Sequence, residues 1–225
     1  ISTRYTMFME AANPRGVRYK EYSEDPEVMF LRMLEHVDWV RHNVPQDAEM
    51  GLPEEGWSLS IDFQNYYEAG WFGCPIEYFD DQVPDAVPFL NEDNKRMLFD
   101  KGLPDPFAGR LMKRNITFYE YFKDRAKNYT YKGLPINQIT PCAMGTDGPF
   151  TIAACLRGAA NICMDIYADP EYFHQLMTFI TEATIQRIRA YREMMGQPAR
   201  TQGWGFADDS VQLLSVDTYK SAVLP

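Results

Sequence analysis

Apolar residues along the chain recur with two different periods. After Asp25-Pro26-Glu27, the residues Phe30, Met33, Leu34, Val37 and Val40 return at helical spacing and form one apolar stripe up to about Arg41. The start carries an N-cap aspartate, a proline at the first helical position and an acid in the first turn. Asp169-Pro170-Glu171 repeats that chemistry, and Phe173, Leu176, Met177, Ile180, Ile188 and Met195 then mark one face of a long helix that Gly196 closes. Shorter helices are expected over 91–99, 107–127 and 215–222.

Strand-like runs occupy 58–63, 135–142 and 201–207. The two later runs each lead through a polar turn, Gly145-Thr146-Asp147-Gly148 or Asp208-Asp209-Ser210, into a helix. Strand, loop and helix in repetition is the pattern of a parallel α/β fold. The Pro- and Asp-rich stretch 73–106 has no strong period and reads as a long surface excursion. No repeat or composition break divides the chain, so one domain is expected over 1–225, with 1–54 as a helical and loop segment within it.

Composition narrows the function. Of the 225 residues 45% are apolar, enough for a core, and the net charge is −10. Without a basic arm, that charge disfavours a nucleic acid as partner. The longest apolar runs fall far short of a membrane span. Cys74, Cys142, Cys155 and Cys163 are widely and irregularly spaced and read as reduced, mostly buried thiols, so a cytoplasmic protein is expected. The chain starts on Ile1 and stops on the apolar Ala222-Val223-Leu224-Pro225, which reads as a piece of something longer.

In parallel α/β proteins ligands bind beyond the carboxyl ends of the strands. That rule selects Asp62, Asp147 and the pair Asp208-Asp209, which would converge on one mouth if their strands are adjacent. Converging carboxylates shift each other's pKa and suit proton transfer or cation binding. The same residues also serve as helix caps and Asx turns. Nucleophile-elbow, zinc-protease and P-loop signatures are absent. His36, His42 and His174 read as helix residues, and Cys142 as a buried spacer at a strand end. No His/Cys trio has zinc spacing. Arg15 and Arg18, in a Pro/Gly segment, are the guanidinium groups placed to receive an acidic ligand.

The order Gly148-Pro149-Phe150-Thr151, Asp169-Pro170-Glu171, a long helix, Phe206-Ala207-Asp208-Asp209-Ser210 and Tyr219 to Pro225 resembles the uroporphyrinogen decarboxylase superfamily. That superfamily includes methyltransferases that exchange methyl groups between corrinoids and coenzyme M. Ile61-Asp62, Glu68-Ala69-Gly70 and Phe72-Gly73-Cys74 resemble its aspartate strand and following glycine turn. The resemblance implies a (β/α)8 TIM-barrel type fold, of which the chain would hold about five βα units. Such an incomplete barrel leaves strand edges open, so association into an oligomer is expected.

By this resemblance Asp62 matches the aspartate that faces the pyrrole nitrogens in decarboxylases. The substrate-binding tyrosine of the family falls on Cys155, and its serine falls in the Asp208-Asp209 pair. The family's N-terminal Arg-containing signature is echoed by Met9-Glu10-Ala11-Ala12 and Arg18-Tyr19, with Glu10 in place of the first arginine. These changes and the charge of −10 oppose the polycarboxylate uroporphyrinogen. The reading is therefore an enzyme acting on a tetrapyrrole-class ligand, with corrinoid-dependent methyl transfer ahead of uroporphyrinogen decarboxylation or a non-catalytic tetrapyrrole-binding barrel. Catalysis is assigned to Asp62 and Asp208, and substrate binding to Arg15, Arg18, Cys155 and Asp209. Methyl transfer of this kind implies a corrinoid carried by a partner protein and Zn2+ held by ligands beyond Pro225.

Overall fold

A computed structural model describes residues 3–47, 49–80, 82–203 and 205–224, with only the backbone of residues 3–5. Ile1, Trp204 and Pro225, used in the sequence reading, lie outside the described residues. The helices are α1 (Tyr19–Glu24), α2 (Pro26–Asn43), α3 (Tyr67–Phe72), α4 (Met97–Lys101), α5 (Arg110–Ala126), α6 (Pro149–Arg157), α7 (Ala159–Ala168) and α8 (Pro170–Met194). The strands are β1 (Trp57–Ser60), β2 (Ile76–Glu77), β3 (Asp85–Ala86), β4 (Thr130–Tyr131) and β5 (Leu134–Thr140). The chain forms two compact bodies: Ile1–Phe63 with Tyr78–Pro84 and Arg114–Cys142, and Gln64–Glu77 with Asp85–Lys113 and Ala143–Pro225.

In the first body β1 pairs in parallel with β5, and β4 pairs antiparallel with β5 on its other edge. Trp57, Leu59, Ile61 and Phe63 are buried while Ser58 and Ser60 are exposed, the two-residue period of a half-buried strand. The ladder continues past β1, where the Ile61 amide donates to the Thr140 carbonyl at 2.8 Å. Asp62 breaks the alternation: it follows a buried residue and is itself buried. Around the sheet, Phe30 of α2 meets Phe122 of α5 edge to face at 5.1 Å. Burying side chains of this size contributes roughly 1.5–3 kcal/mol each. Asp25 caps α2 as expected, its carboxylate accepting from the amides of Glu27 and Val28 at 2.8 and 3.2 Å.

In the second body α6, α7 and α8 pack on one another, with Phe150, Ile152, Leu156, Ile162, Phe173, Leu176 and Ile180 at their centre. The 73–106 excursion is largely irregular but contains the short β2–β3 pair and α4. Asp169 caps α8 by accepting from the Tyr172 amide at 3.2 Å, and Gly196 turns away from the helix with φ +64°. Buried Arg157 joins α6 to α7 through two contacts with Asp165, at 2.8 and 3.2 Å.

Two expectations differ from the structure. The run 201–207 makes no strand ladder among the described residues; Ala207 forms a single parallel bridge with Asp147. Gly203 and Gly205 bring no side chains to pack and lose the most backbone entropy on ordering, which weakens a strand there. The five βα units of a barrel are likewise not present: the described residues contain one parallel strand pair, that bridge, and no closed barrel. The coarser expectation, a mixed α/β fold with parallel pairing, is what the chain adopts. Among the described residues no helix is long and apolar enough to cross a membrane.

The cap of α8 carries a pH dependence. Lys95, with its ammonium 2.9 Å from the Asp169 carboxylate, and then the Tyr172 amide hold that carboxyl below its ordinary value of 3.8. A carboxyl lowered in the folded state stabilises the fold above its unfolded pKa, and that stability is lost as pH falls through the folded value. Asp169→Asn keeps a capping oxygen but does not titrate. Thermal unfolding from pH 6 to 2 is therefore expected to show a shallower decline below 3.8 in the variant than in the wild type.

Candidate functional site

Asp62 stands just beyond the carboxyl end of β1, where the strand-end rule places chemistry. Only 8% of the residue is exposed, and its carboxylate accepts a hydrogen bond of 3.3 Å from the Tyr22 hydroxyl. Tyr22 projects from α1 and is fully buried, with its ring set edge-on to Phe8 at 5.4 Å. The phenol thus fixes the carboxylate from inside the first body. Cys142, two residues beyond β5, is half-buried, and its amide donates to Asn115 at 3.1 Å.

The arginines expected to meet an acidic ligand are engaged elsewhere on this body. Arg15 pairs with Glu35 at 3.0 Å and Arg18 with Asp80 at 2.9 Å, both arginines being exposed. Glu10 is also exposed. His36 is buried and shares a 2.8 Å hydrogen bond with Thr6, while His42 lies on the surface beside Asp38. His174 is exposed on α8 against Phe173.

In the second body the Gly145–Gly148 turn is tied down by a residue that the motif reading passes over. Glu68 of α3 is 1% exposed, accepts from the Thr146 hydroxyl and from the Asp147 amide at 2.9 Å, and pairs with Arg187 of α8 at 2.9 Å. Arg187 is fully buried, donates to the Gly145 carbonyl at 2.8 Å, and lies 5.2 Å from the rings of both Tyr67 and Trp71. The sequence does hold a signal for this pair. Glu68 is a lone acid in the aromatic run Tyr66 to Phe72, and Arg187 sits seven residues after Ile180 on the buried stripe of α8. Tyr22, the other missed residue, carries no comparable signal.

Asp208 closes the same turn from the far side. Its carboxylate accepts from the Thr151 amide and hydroxyl, each at 2.7 Å, and from the Phe150 amide at 3.3 Å, so it serves the amino end of α6. Asp209 is exposed at the start of a 3-10 turn, Asp209–Leu213. Asp147 and Asp208 therefore lie in one body, joined through the Gly148 turn, and Asp62 belongs to the other. A Cβ on Gly148 would overlap both the carboxyl group and the Cβ of Asp208, so a flexible tip cannot absorb the clash. Gly148→Ala is expected to displace this carboxylate and destabilise the protein by about 1–2 kcal/mol, the scale of a lost helix cap. Urea unfolding of the two forms checks it, and equal midpoints would contradict it.

Cys155 lies on α6, and the Cys74 thiol approaches its carbonyl at 3.6 Å. Burial pushes these thiols up, Cys74 to about 12 and Cys155 to about 11, so both hold their protons at neutral pH. Zinc ligation needs thiolates and several convergent donors. Among the described residues no group of three or more His, Cys, Asp or Glu side chains is arranged to hold a metal ion. These residues therefore do not fit a zinc site.

The backbone is similar to that of a methyltransferase from Methanosarcina mazei, with a TM-score of 0.61 over 95% of this chain at 15% identity. At that identity the likeness concerns the fold, and the chain covers 55% of that protein's chain. No curated protein sequence matches it. Residues 70–225 match the family model described as uroporphyrinogen decarboxylase (URO-D). This match spans more than half of the sequence and agrees with the order of motifs from Gly148 to Ser210, and the chain belongs to the URO-D family.

Proposed function

We propose that the protein is an enzyme of the URO-D superfamily, of TIM-barrel type, that acts on a tetrapyrrole-class ligand, with corrinoid-dependent methyl transfer to a thiol as its reaction. The observation that carries this reading is the engagement of Arg15 by Glu35 and of Arg18 by Asp80. Pairing leaves the Arg15–Arg18 segment of the first body little net positive charge to offer a polycarboxylate, in a chain already at −10. The name of the similar methyltransferase points the same way. A corrinoid carried by a partner protein would supply the methyl group as an electrophile and keep the electron pair of the bond that breaks. The acceptor thiol must then release its proton, and Asp62, whose carboxylate accepts from the Tyr22 hydroxyl, is assigned to take it. Asp208 orders the Gly148 turn, and Asp209 and Cys155 complete the assigned binding residues. Zinc, where the thiol requires it, takes its ligands from residues other than those described.

Uroporphyrinogen decarboxylation is the second reading, and it uses the same Asp62 carboxylate to face a ring cation. Its support is the family match itself. Two assays on the zinc-supplemented full-length protein separate them: methylation of a thiol by methylcobalamin, and CO2 release from uroporphyrinogen. Methyl transfer without CO2 release is expected. CO2 release alone would install the decarboxylase instead, and binding with neither product would make the protein a non-catalytic barrel.

A further inference from the structure

The second body contains a cleft of about 490 Å³ between the carboxyl-terminal half of α8, the Thr146–Pro149 turn, residues 199–201 and Phe206. Thr181, Thr184, Ile185, Ile188 and Arg192 come to it from one face of α8, at the three- and four-residue spacing of a helix. Arg189 and Arg200 stand at its rim, exposed, and Pro149, Ala199 and Phe206 add apolar wall.

Three guanidinium groups thus face one space in a protein of net charge −10. Among the described residues none of the three has a carboxylate within ion-pair distance, whereas Arg32, Arg125, Arg157 and Arg187 are each paired, with Glu35, Glu27, Asp165 and Glu68. Two polar atoms here are also buried without a hydrogen-bond partner among the described residues: Nε of Arg192, a residue 8% exposed, and the hydroxyl of Thr184, 7% exposed. An unsatisfied buried donor is destabilising, and a ligand acceptor relieves it. The cleft size is that of a small-molecule site.

The geometry points to a binding site in the second body for a phosphate monoester with an apolar organic part, a role separate from the reaction proposed above. Even with the Asp147 carboxylate counted, positive charge on the lining exceeds negative charge by two. A phosphate monoester carries about −1.5 to −2 at neutral pH and offers three oxygens to guanidinium forks. A monocarboxylate matches neither the charge nor the number of donors. Ile185, Ile188 and Phe206 take the organic part.

Calorimetric titration with phenyl phosphate, inorganic phosphate, phenylacetate and benzyl alcohol tests this. Phenyl phosphate is expected to bind about tenfold more tightly than inorganic phosphate through its ring. It should also bind more tightly than phenylacetate, with no measurable binding of benzyl alcohol. Arg189→Gln and Arg200→Gln, at exposed positions that leave the fold intact, should each weaken phenyl phosphate about tenfold. Arg192→Lys, which keeps the charge but loses the fork, should weaken it less than Arg192→Leu. Unchanged binding in the Arg189→Gln/Arg200→Gln double variant, or no binding by the wild type, would overturn the site. Equal affinity for phenylacetate would overturn its assignment to a phosphate ester.

Discussion

Glu68→Gln is expected to destabilise the protein by about 3–5 kcal/mol, the cost of leaving a buried charge without its partner. Glu68 and Arg187 are 1% and 0% exposed, so water cannot replace the lost carboxylate. Among the described residues Arg187 has its Nε and Nη1 unpartnered, and the Glu68 carboxylate is the counter-charge that Nη2 meets, at 2.9 Å. Glutamine retains one acceptor but cannot neutralise the guanidinium. The Thr146 hydroxyl and Asp147 amide would compete for the same oxygen, and the Gly145–Gly148 turn would loosen with them. The Glu68→Leu/Arg187→Met double variant removes both charges and should recover much of the loss, because apolar pairs often replace buried ion pairs at little cost. Urea midpoints followed by circular dichroism report both effects. A loss below about 1 kcal/mol, the range of exposed pairs, would contradict this account of the turn.

The parts of this structure that were legible in the sequence are those set by neighbouring residues. Asp25-Pro26 and Asp169-Pro170 start α2 and α8 because cap and ring act within one turn. The alternation from Trp57 to Phe63 identifies β1 without knowledge of its partner, but it assigns Asp62 to the exposed face with Ser58 and Ser60, so the burial of this carboxylate is not legible there. Non-local contacts decide the rest. Arg187 and Glu68 are 119 residues apart, and periodicity can flag each as misplaced without pairing them. The run 201–207 has strand-like composition, yet a strand exists only where a ladder forms, and Ala207 alone is bridged. Cys155 lies at the family's tyrosine position on α6, yet its raised pKa follows first from burial and then from the carboxylates of Asp85, Asp147 and Glu68, none of which spacing shows. Arg15 and Arg18 looked available to a ligand because the positions of Glu35 and Asp80 depend on the fold.

The largest functional effect is expected at Asp62. Asparagine preserves the size of the side chain and can still accept from the Tyr22 hydroxyl, so the first body should keep its packing. What disappears is the ability to take a proton or to face a cation with a full negative charge. General acid–base groups contribute about 10²–10⁴-fold, and a loss of that size is expected in turnover. Tyr22→Phe, which removes only the group that orients the carboxylate, should cost less. The direct measurement is the rate of thiol methylation from methylcobalamin by the full-length wild-type and Asp62→Asn proteins, matched for unfolding midpoint. The account predicts methylation by the wild type and a loss of at least about 10²-fold in the variant. An Asp62→Asn protein that transfers methyl groups at the wild-type rate would contradict it.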